Sequence, residues 1–124
     1  MSQATSANTV VKTFTAGGVI QPNTFVKESS GTVVTATVAG AAVGVYIGSE
    51  ACASGDKVSI AVLGPCKVSA DGTSAIAIGA KLQSNASAVA VVNVTAGQIV
   101  QGMALEPLAS GTAVIEMLLA PHSI

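Results

Sequence analysis

Any chemistry in this chain of 124 residues must come from its titratable and nucleophilic side chains, and these are few. The sole histidine is His122, close to the end of the sequence, where chains usually fray. A nucleophilic triad needs a base beside the nucleophile and a third group to orient that base. His122 has no such setting. A zinc site would need Cys52, Cys66, His122 and a fourth ligand to converge, and no C-x-x-C spacing supports that. Any two of Glu28, Glu50, Asp56, Asp71, Glu106 and Glu116 could form an acid/base pair. Asp56 follows Gly55, however, and Asp71 precedes Gly72, and aspartate in such turns serves the backbone. No G-x-G-x-x-G opens a helix, and there is no P-loop. The residues therefore predict no catalytic, cofactor-binding or metal-ligating site, no small-molecule substrate and no enzyme.

Charge excludes a second class. Five lysines oppose six acids, for a formal net charge of −1, and there is no arginine or tryptophan. A nucleic-acid groove needs clustered basic residues and stacking planes, so no nucleic-acid partner is expected. Lys57, Lys67 and Lys81 stand singly near strand ends, as solvated guards against edge pairing. Charged residues make up 9% of the chain, against roughly 25% in a typical soluble domain. With a mean hydropathy of +0.68, part of the apolar surface is expected to be covered by other subunits.

A membrane span is the rival reading of that hydropathy. Residues 29–49 and 82–101 are uncharged, but Ser, Thr, Gly, Asn and Gln interrupt both, unlike a lipid-facing helix. No membrane partner is expected. The opening "MSQATSANTVVKTF" lacks a basic segment followed by an apolar one, so no signal peptide is read. Without secretion, Cys52 and Cys66 are read as free, partly buried thiols, although a disulfide across a hairpin is geometrically possible. The two N-x-S/T sequons then carry no meaning.

The elements that position these residues read as strands. Residues 1–8 are small, polar and without periodicity, and the arm is drawn over residues 1–14. Short runs rich in β-branched residues follow: 9–15, 24–27, 32–38, 43–47, 57–63, 66–69, 81–83, 88–94, 99–105 and 112–119. Gly, Pro, Asn, Asp or Ser punctuates them. Helix formers in 112–120 make helix the competing reading there. The pattern predicts an all-β fold, a small closed or partly open β-barrel over residues 15–124 with a flexible N-terminal arm. Small inward residues suit a tight barrel. Gly40, Gly44 and Gly48 are read as turn or bulge positions.

One phrase occurs twice. "ASGDKVSIAVLGP" starts at Ala53 and "ASGTAVIEMLLAP" at Ala109, an offset of 56, and each reads as turn, strand, turn. Gly44-Val45-Tyr46-Ile47 answers Gly102-Met103-Ala104-Leu105 at an offset of 58, and the Pro22-Asn23 turn answers Gly79. Two pseudo-repeated units, roughly 19–68 and 74–124, are expected. One conflict stands: the phrase sets Ile60 opposite Glu116, which reverses the inward face.

The order "VIQPNTFVK", "AAVGVYIG", "ASGDKVSIAVLGPCKVSADG", "IAIGAKLQ" and "IVQGMALEPLASGTAVIEMLL" resembles the small β-rich capsid cement, or head decoration, proteins of tailed bacteriophages. The resemblance spans roughly residues 10–119. It implies a virion protein, made in the host cytoplasm, that binds the outer surface of the head as a homotrimer. There it ties neighbouring major capsid protein subunits together. It further implies a capsid-contacting arm, here Asn8, Val10, Val11 and Phe14. The chain departs from the commoner pattern at Pro22-Asn23 and at Cys66 beside Pro65. The alternative is a β-barrel binding module of a tail fibre or surface adhesin, which would usually show aromatic residues for sugar stacking. Only Phe14, Phe25 and Tyr46 exist.

Overall fold

The computed structural model describes residues 9–37, 42–92 and 99–123. Among these there is no helix, and nine strands form: β1 (Val10–Thr15), β2 (Phe25–Ser29), β3 (Thr32–Thr35), β4 (Gly44–Tyr46), β5 (Lys57–Asp71), β6 (Lys81–Ser84), β7 (Ala90–Val92), β8 (Ile99–Ala104) and β9 (Thr112–Ser123). The all-β expectation holds, and the helical reading of 112–120 fails. There, Val114 faces solvent while Ile115, Met117 and Leu119 alternate inward, at a period of two rather than 3.6.

The expected turn at Gly64-Pro65 does not form. The runs 57–63 and 66–69 are one strand of 15 residues. Gly64 takes φ of +100°, a left-handed conformation that favours glycine, so the strand shifts without breaking. Pro65 has no N–H, and strands tolerate proline only at edges and bulges. The segment drawn as an arm also divides. Residues 1–8 lie outside the described residues, whereas Val10–Thr15 pairs along its length with β5.

The repeat is visible in the hydrogen bonding. β1 pairs with the first half of β5, β5 with β4, β4 with β2, and β2 with β3. A parallel bridge from Ala16 to Val33 closes the ring. The second half of β5 then pairs with β9, β9 with β8, β8 with β6, and β6 with β7. Ala70 opposite Ala90 closes this second ring. Thus β1, β2, β3, β4 and early β5 answer late β5, β6, β7, β8 and β9, and β5 is shared. Register agrees pair by pair. Lys12–Ile60 answers Cys66–Met117, and Val26–Gly44 answers Leu82–Gly102. Outside the strands, Ile20–Cys52 answers Ile76–Leu108. The left-handed turn residues Asn23 and Gly55 answer Gly79 and Gly111.

This register removes the conflict at Ile60. Its counterpart is Met117, an offset of 57, and both are fully buried. The odd offset restores the phase that the even offset of the shared phrase had reversed. The first repeat also begins with β1, and the second begins inside β5.

Two apolar clusters result. One, with Ile20, Val26, Val33, Tyr46, Val58 and Ile60, belongs to the first ring. The other joins the second ring's interior to the outer face of the first, through Phe25, Val45 and Ala61. Ser69 N–H donates to Asn23 O (2.7 Å), and Phe25 N–H to Ala88 O (3.0 Å), across the same seam.

Candidate interaction surface

Residues directly opposite each other in an antiparallel ladder point to the same side. Across β6, β8, β9 and β5 one such row is Lys81, Met103, Leu118 and Pro65. It lies on the outside of the second ring: Lys81 and Met103 are exposed, Leu118 and Pro65 half-buried. Beyond Pro65 along β5 stands the pair Val10–Leu63, 45% and 49% exposed. On this surface the ladder sets apolar side chains side by side where a solvated sheet face would carry polar ones.

Two residues along, on the same outward side, Lys67 opposes Glu116. Glu106 Oε1 accepts from Lys67 Nζ (3.2 Å) and from the Glu116 backbone N–H (2.7 Å). The backbone bond, then Lys67, holds the Glu106 carboxyl below its usual range. A carboxylate with a depressed folded pKa contributes stability above the unfolded pKa and loses it as pH falls through the folded one. The difference in melting temperature between the wild type and Glu106→Gln is therefore expected to be full above pH ~4.3 and to vanish under stronger acid. Melting curves across that window check it.

The four residues expected in an arm are not one group. Asn8 lies outside the described residues. Val10 and Val11 are exposed on β1, and Thr9 Oγ1 donates to Pro65 O (2.7 Å) just before them. Phe14 is half-buried and packs on the first-ring cluster, opposite Val58, so it faces inward.

Among the described residues no three His, Cys, Asp or Glu side chains could hold a metal ion. Cys52 and Cys66 are free and buried in different clusters, as the reading of two thiols expected. Burial, then the Glu116 charge, pushes the Cys66 thiol up to about 12, so it stays protonated. Tyr46 is raised, chiefly by burial, and its hydroxyl donates to Glu50 O. The Thr73 hydroxyl, then its backbone N–H, donates to Asp71 and holds that carboxyl below its usual range, as the turn reading implies. His122 falls in β9 opposite Val100. An open groove of about 240 Å³, lined by Ser69, Ala70, Val89, Thr112, Ala113 and Val114, carries no titratable side chain.

The sequence names Met103 and Leu118 within motifs but does not place them, or Leu63, on an outward face. Their exposure depends on which face of each strand turns outward, and the phrase alignment had that phase wrong in β9.

Residues 4–119 match the family model for phage cement protein. The chain belongs to the phage cement protein family. No curated protein matches it. Among solved structures it is similar to the head fiber gp8.5 N base of bacteriophage phi29, with a TM-score of 0.60 and 17% identity. That likeness covers 90% of this chain and 94% of the other. It shows a shared fold for this cement-family chain.

Proposed function

We propose that this cement-family protein binds the outer surface of the assembled phage head, as a homotrimer, and ties neighbouring major capsid protein subunits together. The observation that carries the reading is the family match over residues 4–119. Its mechanism is contact. Apolar area at roughly 25 cal/mol per Å², repeated over linked subunits, gives high avidity from modest single contacts. No reactive group, cofactor, nucleic acid or membrane enters that mechanism. The structural neighbour is a head fiber base, which supports a place on the head over the tail-fibre alternative.

Co-sedimentation with purified expanded heads of the cognate phage tests the reading. The full chain is expected to pellet with heads, and its absence from the pellet would sink the cement role. The arm is tested by removing residues 1–8 only, because a cut at Phe14 would take away most of β1. Retention is expected to drop several-fold, and to drop further with Val10→Asp. Unchanged retention in both would remove residues 1–8 and Val10 from the contact.

A further inference from the structure

The two repeats make the same fold but do not bury the same faces. In the first repeat the outer row across β2, β4, β5 and β1 is Phe25, Val45, Ala61 and Val11. Its first three members are 0% exposed, because the second repeat covers them. In the second repeat the row in the same register is Lys81, Met103, Leu118 and Pro65. Met103, in the place of Val45, is 39% exposed. Within this chain, the element seated on such a row is another unit of the same fold.

We infer that the outer face of β6, β8 and β9, centred on Met103 and Leu118, docks a second copy of this chain, and that it does so head to tail. The internal seam shows which surface it would meet. The second repeat reaches the first through Ser69, Ala88 and Gln101: Ser69 N–H to Asn23 O, Ala88 O from Phe25 N–H, and Gln101 Nε2 to Ala42 O (3.1 Å). By the same register these three answer Thr15, Gly31 and Val43 in the first repeat. Gly31 is exposed and Val43 is 39% exposed. The second copy thus presents its Thr15–Gly31–Val43 side to the Met103–Leu118 face of the first.

Chemistry explains why this contact joins chains while the other joins halves. Lys81 stands where the internal seam has Phe25. A charge at the edge of an apolar row keeps the face soluble in the free chain, and a polar rim is usual for interfaces that assemble from folded partners. Because the two surfaces differ, the contact is heterologous. It makes a ring when the rotation closes, which suits the proposed trimer. The inference rests on the self-association proposed above, but not on head binding.

Light scattering after size exclusion tests it. The wild type is expected to run as an oligomer. Met103→Lys and Val43→Lys are each expected to run as folded monomers with the all-β circular dichroism of the wild type, melting lower only by the stability that association supplies. Ser110→Lys, in the exposed turn before β9 and outside both sets of residues, is expected to stay oligomeric. An equal mixture of the Met103 and Val43 variants is expected to form dimers, since each retains the surface the other has lost. A monomeric wild type overturns the inference and leaves head retention to decide the cement role separately. An oligomeric Met103→Lys variant also overturns it. If that oligomer no longer binds heads, the face docks capsid protein instead. Should Met103→Lys fail to fold, Leu118→Lys at the centre of the same face provides the second variant: persistence of its oligomer overturns the inference.

Discussion

Replacing Gly102 by alanine is expected to cost about 3 kcal/mol, which lowers the thermal midpoint by roughly 10 °C in a domain of this size. Gly102 lies on β8 where β9 crosses closely, and a Cβ there would overlap the carbonyl oxygen of Leu118. That atom belongs to a paired backbone, so the clash cannot be relieved by turning a side chain. β8 or β9 must shift, and the shift is felt by Met117 and Leu119 in the core. The repeat supplies an internal check. Gly44 occupies the same place in the first ring, where a Cβ would come within 2.5 Å of the Ala61 carbonyl oxygen, so Gly44→Ala should be damaging for the same reason. Gly18, with nothing within 4 Å of an added Cβ, is the control and should melt with the wild type. A Gly102→Ala variant as stable as Gly18→Ala would show that the strands do not cross this closely.

Phe25→Ala is expected to cost ~3–5 kcal/mol. Phe25 is among the largest fully buried side chains, and it sits where the first ring's outer face meets the second ring's core. Truncation leaves a cavity between two rings that are held on both sides by β5 and by the Phe25–Ala88 and Ser69–Asn23 backbone bonds. Such a site cannot easily collapse. The same truncation at its counterpart, Lys81→Ala, should change stability by no more than ~0.5 kcal/mol, as for an ordinary surface position. Denaturant titration of both variants measures the contrast. Equal losses would mean that the two outer rows are equally buried, and the argument for an open second face would fall with that result.

Much of the architecture was legible because it is written locally. β-branched runs broken by Gly, Asn and Asp mark the strands, and the Asn23 and Gly79 turns were paired from sequence and take the same left-handed conformation. The repeat was legible too, from the Gly55 and Gly111 turns. Its phase was not. Identical letters in "ASG" fixed an offset of 56, while the extra residue before β9 that makes the strand offset 57 leaves no mark in an apolar, low-complexity stretch. Gly44 was read as a turn or bulge, yet it lies within β4. A glycine needed for a close strand crossing looks the same in sequence as one needed for a turn. Gly64-Pro65 misled similarly, since both residues punctuate most chains, and only pairing on either side reveals a strand that runs through them.

Composition set aside nucleic-acid binding, and the spacing and turn context of a few side chains set aside catalysis and metal binding, because each needs particular groups in number or at fixed intervals, and neither reading needs coordinates. The resemblance to capsid cement proteins was likewise carried by the order of short motifs. Which apolar residues are hidden and which are offered was decided by tertiary structure. Val45 and Met103 are near-equivalent in chemistry and in register, but one is covered by a second ring and the other is open. Burial is a property of what lies across a sheet, at long sequence separation, and no local pattern encodes it.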